Sequence, residues 1–444
     1  MSFTSMHIIR GGIMNKINNI LIITYNMIPY SPNWGGCQRV YYFAKELSKT
    51  NNVFMISAKK NYYGDFGQEI PFEIYYIENY IETFYREKKT NSYFHYNKNK
   101  GRKLIEKLLN SLGNIYKKID KFLFNEPNPG IGFIAFIWTR KIKNKVFQII
   151  EQNNINKVLI SGPPFSIFHI VKIIKKRFPN IEIILDYRDP WNFWNNLNNK
   201  ITTNREKKYL RFTDKIISPN ENLTKDLNDS FSLSSLRKKI ITIRNGYSEE
   251  SWKNIKINKE TSNDKIIISH IGSIGFKDSG YRNPTEFLKA FYNYEKNYEF
   301  LIRFIGVDRD KYTNSYKKLL GEKIEFIERV DQQKSFEYML QSDILLLLHT
   351  EKSNANKYVY TGKFFDYIRS GRIILGIGDD NVLFNKMIKK YDLGFTTRNE
   401  KEEIKKALDL ILKHKNRLIR NSDIDIYKFS REYQNNKLIP FINK

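Results

Sequence analysis

Short apolar segments alternate with segments of helical periodicity along most of the 444-residue chain. Strands that alternate with helices form parallel sheets whose two faces are covered by helices. The sequence therefore predicts an α/β fold. The predicted strands are Asn19–Tyr25, Asn52–Ser57, Lys157–Ser161, Ile181–Asp186, Lys215–Ser218 and Lys239–Ile243 in the first half, and Lys265–Ile271, Glu299–Ile305, Lys323–Ile327, Asp343–Leu348 and Arg372–Gly376 in the second.

A polar stretch separates the two halves. Residues Ser251–Asp264 show no hydrophobic periodicity and are predicted to form a linker. We expect one Rossmann-like domain over residues 14–250, another over 264–422, and a C-terminal helix and tail over 423–444. Open parallel sheets bind ligands at the carboxyl ends of their strands. The loops that follow the strands are therefore expected to line a cleft between the domains.

The chain is strongly basic, with 75 Lys and Arg against 47 Asp and Glu and a formal net charge of +28. Such an excess favours anionic partners, namely nucleotide phosphates, anionic lipid headgroups or nucleic acid. It is also consistent with a compositional bias that places solvated lysines on the surface. No recognised nucleic-acid-binding motif is present, so we expect no nucleic-acid partner.

Membrane association is expected to be peripheral. The first 16 residues contain no apolar core of signal-peptide length, and no apolar run approaches the ~20 residues of a membrane helix. The run Gly130–Trp138, followed by Arg140 and Lys141, fits either an interfacial segment or a buried element. The Lys-rich segment Tyr85–Lys103 is predicted to be a loop that adds basic charge. The single cysteine, Cys37, excludes an internal disulfide and fits a cytoplasmic location.

Several short motifs occur in a fixed order along the chain. Together they resemble family four of the glycosyltransferases, in the branch that builds bacterial surface polysaccharides. The resemblance implies a GT-B fold, a nucleoside-diphosphate sugar as donor, retention of anomeric configuration, and no metal or other cofactor. The matching segments are Gly35–Val40, Ser161–Ser166, Asp186–Trp191, Asn245–Tyr247, Arg282–Pro284 and Thr361–Tyr367.

Glycines contribute to the expected donor site. Gly35 and Gly36 allow the backbone to approach a ligand, and the helix behind them offers free N–H groups to anions. The resemblance places this loop near the sugar and diphosphate, although an ordinary tight turn would also explain the pair. Gly272 and Gly362 lie in two further loops after strands and are expected to contact the donor.

The segment Thr361–Tyr367 is the most informative motif. Lys363 and Asp366 are three residues apart in a predicted first helical turn, where helix-dipole stabilisation alone would also favour an acid. The resemblance implies that Asp366 accepts hydrogen bonds from the donor ribose and that Lys363 is a catalytic and donor-binding cation. The family often has a second acid eight residues earlier, where this chain has Tyr358. Because of this departure, the identity of the donor sugar stays open.

Two further residues complete the expected catalytic set. Arg282 stands where the family has a basic residue that neutralises the diphosphate leaving group, with Lys277 as a competing candidate in the same loop. Either cation would otherwise be solvated. Asp189 lies where the family often has a His-Asp pair, and Arg188 replaces the histidine. Asp189 before Pro190 is also explained as a turn residue.

The leading hypothesis is sugar transfer from a nucleotide donor, held by the second domain, to a lipid-linked or other glycan acceptor held by the first. The anionic inner face of the membrane would be a further partner. An epimerase of nucleotide sugars with the same fold is one alternative, and a non-catalytic nucleic-acid binder is another. The six histidines show no metal-ligand spacing such as HExxH, so no metal site is expected.

Overall fold

A computed structural model gives the fold of most of the chain. No helix of the described part is both long and apolar enough to cross a membrane. The described residues are 17–31, 35–60, 64, 69–79, 114–128, 130–195, 197–235, 237–253, 255, 265–275, 280–292, 294, 299–309, 312, 316, 321–350, 353–358, 360–413 and 424–443.

The described residues contain two parallel sheets. Seven strands form the first sheet in the order β3-β2-β1-β4-β5-β6-β7, and six form the second in the order β10-β9-β8-β11-β12-β13. The strands of the first sheet are β1 (Asn19–Thr24), β2 (Asn52–Lys59), β3 (Glu73–Glu78), β4 (Lys157–Gly162), β5 (Glu182–Tyr187), β6 (Lys215–Ser218) and β7 (Lys239–Thr242). Those of the second are β8 (Lys265–Ile271), β9 (Glu299–Ile305), β10 (Ile324–Ile327), β11 (Ile344–His349), β12 (Ile373–Gly378) and β13 (Gly394–Thr397).

Helices connect the strands and cover both sheets. Those of the first half are α1 (Gly35–Leu47), α2 (114–124), α3 (Gly132–Lys141), α4 (Lys143–Gln152), α5 (Ile170–Arg177), α6 (Lys200–Arg211), α7 (Glu221–Phe231) and α8 (Glu249–Trp252). Those of the second half are α9 (Thr285–Tyr292), α10 (Gln332–Gln341), α11 (Gly362–Ser370), α12 (Leu383–Lys390), α13 (Lys401–Lys413), α14 (Arg431–Asn435) and α15 (Leu438–Asn443). Short 3₁₀ turns lie at Phe165–His169, Phe193–Asn195, Gly321–Lys323, Asn354–Tyr358 and Ile426–Phe429.

The central strands are buried on both faces. Along β1, Leu21 and Ile23 belong to the hydrophobic cluster on one face of the sheet, and Ile20 and Ile22 belong to the cluster on the other. All four side chains are inaccessible to solvent. A strand covered on both faces needs a continuous apolar run rather than an alternating one, and this explains the sequence of β1.

A buried ion pair fixes the first domain. The guanidinium of Arg39 on α1 contacts the Asp186 carboxylate at 2.9 Å, and Ser161 donates a hydrogen bond to the same carboxylate at 2.6 Å. Arg39 also donates to the carbonyl of Ile243. The pair thus connects α1 with the ends of β4, β5 and β7. Asp186, in one of the matching motifs, is occupied by this structural role.

The C-terminal helices return to the first domain. Leu438 and Ile442 of α15 are buried in the same cluster as Val40 and Leu47 of α1. In addition, Lys215 of β6 donates a hydrogen bond to the carbonyl of Ile442 at 3.1 Å. The chain after the second sheet therefore connects the two domains.

The apolar run Gly130–Trp138 forms most of α3, and its larger residues are mainly core. Ile134, Ala135 and Trp138 are buried, whereas Phe133 is exposed. The buried alternative therefore holds for Ile134, Ala135 and Trp138, and the interfacial one stays a prediction at Phe133. The predicted loop Tyr85–Lys103 lies outside the described residues.

Candidate functional site

The order of the strands shows where each sheet has a crevice. In the first sheet β1 lies between β2 and β4, and in the second β8 lies between β9 and β11. Chain connections leave in opposite directions from such a point, which opens a crevice at the carboxyl ends of the strands. The loops after β1, β4, β8 and β11 are therefore those positioned to bind a ligand.

Gly272, directly after β8, forms one wall of the second-domain crevice. Its φ of +114° is a conformation that side-chain-bearing residues rarely adopt. A Cβ atom at this position would lie 2.7 Å from Nζ of Lys363. Glycine is thus required both by the backbone and by the approach of the lysine.

Lys363 and Arg282 form a pair of cations beside Gly272. No carboxylate among the described residues makes an ion pair with either side chain. Burial and the neighbouring Arg282 hold the pKa of Lys363 well below its usual range. Arg282 donates to Ser273 Oγ at 2.8 Å, while its Nε is buried and makes no hydrogen bond. Two neighbouring cations without a counter-ion favour binding of an anion.

The N-terminus of α11 opens toward the same space. Thr361 is the N-cap residue, but its buried hydroxyl makes no capping hydrogen bond. A Cβ atom on Gly362 would have no neighbour within 4 Å, so the first turn is unobstructed. Free N–H groups and the helix dipole favour an anion at such an end.

Asp366 lies one turn further along α11, and its neighbours differ from those of Lys363. The Trp252 indole nitrogen is 3.5 Å from the Asp366 carboxylate, and Arg431 of α14 exerts an attractive electrostatic effect on it. Burial raises the pKa of Asp366 to about 6. Trp252 itself stacks on Phe336, with ring centroids 4.1 Å apart. The carboxylate is therefore held at the junction of α8, α11 and the C-terminal helices.

Asp189 lies in the first-domain loop after β5 and is half-buried. Burial raises its pKa, and the positive charges of Arg188 and Arg39 oppose that effect. Arg188 is buried and donates a hydrogen bond to the carbonyl of Pro163. Asp189 is thus a first-domain carboxyl group close to two arginines.

The other expected site residues are only partly defined. Helix α1 begins at Gly35, so Gly35 and Gly36 form its first turn after β1. Residues 32–34, which lead into that turn, lie outside the described part of the chain, and so does Lys277.

Tyr358 occupies a position that the sequence left unexplained. Its ring is buried in the first-domain cluster, 6.1 Å from the ring of Phe193, and its hydroxyl donates to Asp226. Asn220 donates to the carbonyl of Tyr358 at 3.1 Å. The residue in place of the family's second acid therefore docks one domain on the other.

Several residues of the site were missed by sequence reasoning. His270 contacts Lys363, and Arg431 lies near Asp366. Glu126 accepts hydrogen bonds from the backbone of Phe165 and Ser166 at 2.8 and 2.6 Å, and burial raises its pKa to about 7. None lies in a motif, and each is brought to the site by long-range packing. Within the described residues, no group of three His, Cys, Asp or Glu side chains could hold a metal ion.

Comparisons with known proteins show the fold. No family model matches the chain, and no curated protein matches it. Among solved structures, the N-terminal domain of Candida albicans trehalose-6-phosphate phosphatase is 10% identical, with a TM-score of 0.60 and 98% of each chain covered. Anabaena HepE in complex with UDP and glucose is 9% identical, with a TM-score of 0.59 and coverage of 96% and 99%. UDP-GlcNAc 2-epimerase from Neisseria meningitidis, bound to UDP-GlcNAc, is 11% identical, with a TM-score of 0.55 and the same coverage.

These likenesses extend over nearly the whole chain and agree with the two parallel sheets. At 9–11% identity they show architecture alone. The chain therefore has the GT-B fold, with two Rossmann-like domains.

Proposed function

We propose that the protein is a glycosyltransferase that moves a sugar from a nucleoside-diphosphate sugar to a glycan acceptor. The observation that carries this proposal is the pair Lys363 and Arg282. Both cations lie beside Gly272, lack a carboxylate partner among the described residues, and adjoin the open N-terminus of α11. A diphosphate matches this arrangement in charge.

We propose roles for the remaining expected residues as well. Asp366 accepts hydrogen bonds from the donor ribose, and Gly362 leaves room for the phosphates beside the first turn of α11. Gly35 and Gly36 approach the donor from the first domain at the start of α1. Asp189 acts on the acceptor side of the cleft.

The proposed reaction breaks the bond between the anomeric carbon and the diphosphate and forms a bond from that carbon to an acceptor oxygen. The proton of the acceptor hydroxyl passes to the departing diphosphate. Charge accumulates on the departing diphosphate, and Lys363, Arg282 and the α11 N–H groups stabilise it in place. We propose retention of anomeric configuration and no metal, so turnover should persist in excess EDTA.

A nucleotide-sugar epimerase is the second candidate, because UDP-GlcNAc 2-epimerases from Neisseria meningitidis and Methanocaldococcus jannaschii share the fold. An epimerase changes its substrate without an acceptor, whereas a transferase needs one for net transfer. The product formed without acceptor therefore distinguishes the two activities.

We further propose that the acceptor is lipid-linked and that the protein binds the anionic inner face of the membrane during surface-polysaccharide synthesis. Helix α2 supports this location. Ile115, Ile119 and Phe122 are 54%, 52% and 59% exposed and lie on one stripe of the helix. Ile201, 41% exposed, lies in the first turn of α6 beside them, where Asn199 donates to the carbonyl of Phe122. We call these four apolar residues the α2 patch.

Charge around the α2 patch suits an anionic lipid surface. Lys117, Lys118 and Lys121 are exposed, whereas the one acid of α2, Asp120, is buried and accepts hydrogen bonds from backbone N–H groups at the start of α3. The exposed charges of α2 are therefore all positive. Apolar side chains and lysines act together at a membrane interface.

The far end of α2 connects the patch to the cleft. Trp191, in the loop after β5, donates to the carbonyl of Phe124 at 2.8 Å. Glu126 contacts the backbone that follows β4. A membrane bound at the α2 patch would present a lipid-linked acceptor close to these first-domain loops.

The test is a screen of UDP-, GDP-, dTDP- and ADP-sugars for thermal stabilisation, followed by product analysis with and without acceptor. A ligand that binds only the folded protein raises its melting temperature. We expect one nucleotide class to stabilise the wild type and to stabilise Arg282→Gln less. Lys334→Gln, an exposed lysine change on α10, is the control. If no nucleotide sugar stabilises the wild type, the proposal is wrong.

A further inference from the structure

His270, at the end of β8, is a buried histidine whose two ring nitrogens have different partners. Its Nδ1 lies 2.9 Å from the carbonyl oxygen of Leu346 on β11. A carbonyl can only accept a hydrogen bond, so Nδ1 carries the proton. The bond also fixes the plane of the imidazole ring. His270 as a whole is 1% exposed.

The other nitrogen, Nε2, faces Lys363. Burial holds the pKa of His270 well below its usual range, and the charges of Lys363 and Arg282 lower it further. The imidazole is therefore neutral, and Nε2 has a free lone pair. The lysine Nζ, 2.9 Å away, is the donor to it, because the other neighbour of Nε2 is the Ser273 carbonyl oxygen at 3.4 Å, which cannot donate.

We propose that His270 is a positioning residue that holds the Lys363 ammonium at the diphosphate subsite of the donor site. A lysine side chain has four rotatable bonds, and an anchored amine loses less conformational entropy when it meets a phosphate. Gly272 leaves the space into which this amine is held. The inference rests on the proposed function, since it assigns the subsite to a diphosphate.

The contact has an electrostatic consequence as well. Arg282 is the charged neighbour that acts on Lys363, and it disfavours the ammonium, as does burial. Tyr367 also faces this region, but its hydroxyl accepts a hydrogen bond from the backbone of Ile271. The lone pair of His270 is thus the group in contact with Lys363 that stabilises its charged form.

The test compares His270→Asn with His270→Gln. The asparagine amide can still donate to the Leu346 carbonyl but does not reach Lys363, whereas the longer glutamine can present an oxygen to the amine. Affinity for UDP, GDP, dTDP and ADP is measured by calorimetry from about pH 7 upward. An unperturbed lysine has a pKa of about 10.4.

We expect His270→Asn to weaken binding of the preferred nucleoside diphosphate by roughly tenfold, because a hydrogen bond to a charged group is lost. Affinity falls as the pH rises and Lys363 loses its proton. In His270→Asn this fall shifts to lower pH, and in His270→Gln it returns toward the wild-type position. A purely structural role for His270 would not move the pH profile.

The control is His169→Gln. His169 is a half-buried histidine beside Tyr209 in the first domain. This variant should keep the wild-type affinity and pH profile. If His270→Asn folds and binds with the wild-type affinity and pH profile, the positioning role is wrong while the proposed function stands. If the wild type binds none of these four nucleotides, both are wrong.

Discussion

Gly272 shows how a missing side chain can position a charge. The residue combines a φ of +114° with a close approach of Lys363, so alanine would be strained and would also displace the amine. Left-handed backbone costs a non-glycine residue about 1–2 kcal/mol. This cost applies to any such glycine, but displacement of Lys363 is specific to this position.

Gly272→Ala should therefore lower stability and also weaken donor binding. Gly371→Ala is the matched control, because Gly371 has a φ of +74° and no atom within 4 Å of its potential Cβ. Both variants should lose similar melting temperature, and only Gly272→Ala should lose donor affinity in calorimetry. Equal donor affinity in the two variants would remove Gly272 from the site.

The raised pKa of Asp366 should make donor binding depend on pH. Its carboxyl group titrates at about 6, so its negative charge is lost as the pH falls through that value. A neutral acid is a weaker hydrogen-bond acceptor for ribose hydroxyls than a carboxylate. Wild-type affinity for the intact donor should fall below about pH 6.

Asp366→Asn should bind the donor roughly tenfold more weakly at neutral pH and lose this pH dependence, since a hydrogen bond to a charged group is replaced by a neutral one. Asp380→Asn, an exposed aspartate paired with Lys389, is the control. Calorimetry that finds the same affinity and the same pH profile in Asp366→Asn and wild type would rule out the ribose role.

At the scale of elements, the sequence predicted the central strands well because each is a continuous apolar run. It missed β3 and β13, which lie at or near sheet edges and are half-buried, so their sequences are not uniformly apolar. The segment EIYYIE of β3 mixes aromatic and acidic residues, as a partly solvated strand does. Burial on both faces makes a strand recognisable, and that signal weakens at the edge.

The candidate site was predictable where a motif lies between a strand and the next helix. Gly272, Arg282 and Lys363 could be found this way, and the structure brings Lys363 to the other two. His270 could not, because it lies within an apolar strand and its role depends on α11, 93 positions later. Docking of Tyr358 on the first domain depends on how the two domains meet, which no local pattern encodes.

Helix α2 gives the prediction at the element scale. The α2 patch and its lysines should bind anionic vesicles reversibly, with each basic residue near the surface contributing about 1 kcal/mol. Salt should weaken binding, because exposed charges are screened over about 8 Å at physiological ionic strength. Replacement of Ile115, Ile119 and Phe122 by serine should reduce sedimentation with phosphatidylserine-containing vesicles.

Leu410→Ser is the control, because Leu410 on α13 is 49% exposed and lies in the second domain. Catalysis with a water-soluble acceptor should be unchanged in the triple variant. Equal sedimentation of wild type and triple variant would refute the membrane role of the patch. If the wild type instead associates with itself and the triple variant does not, the α2 patch binds a second copy of the chain rather than a membrane.

At the scale of the whole molecule, the two domains are joined in two places. Tyr358 and Lys357 bind Asp226 of α7, and the C-terminal helices pack on α1. These contacts hold the domain that carries Lys363 and Arg282 against the first domain. A transferase requires this arrangement, because donor and acceptor must meet with water excluded.

The proposed function depends on the binding of a diphosphate by Lys363 and Arg282 in the second domain. The most direct measurement is calorimetric titration of the wild type, Lys363→Met and Lys386→Met, the last being a control at an exposed lysine. Each protein is titrated with a nucleoside diphosphate and with the corresponding monophosphate. The nucleoside is the one whose sugar derivative stabilises the protein most. We predict that wild type and Lys386→Met prefer the diphosphate by roughly tenfold or more, since charge-assisted hydrogen bonds to the second phosphate are gained, and that Lys363→Met loses this preference. Equal affinity of the wild type for the two nucleotides, or an unchanged preference in Lys363→Met, would show that this pair does not bind the diphosphate.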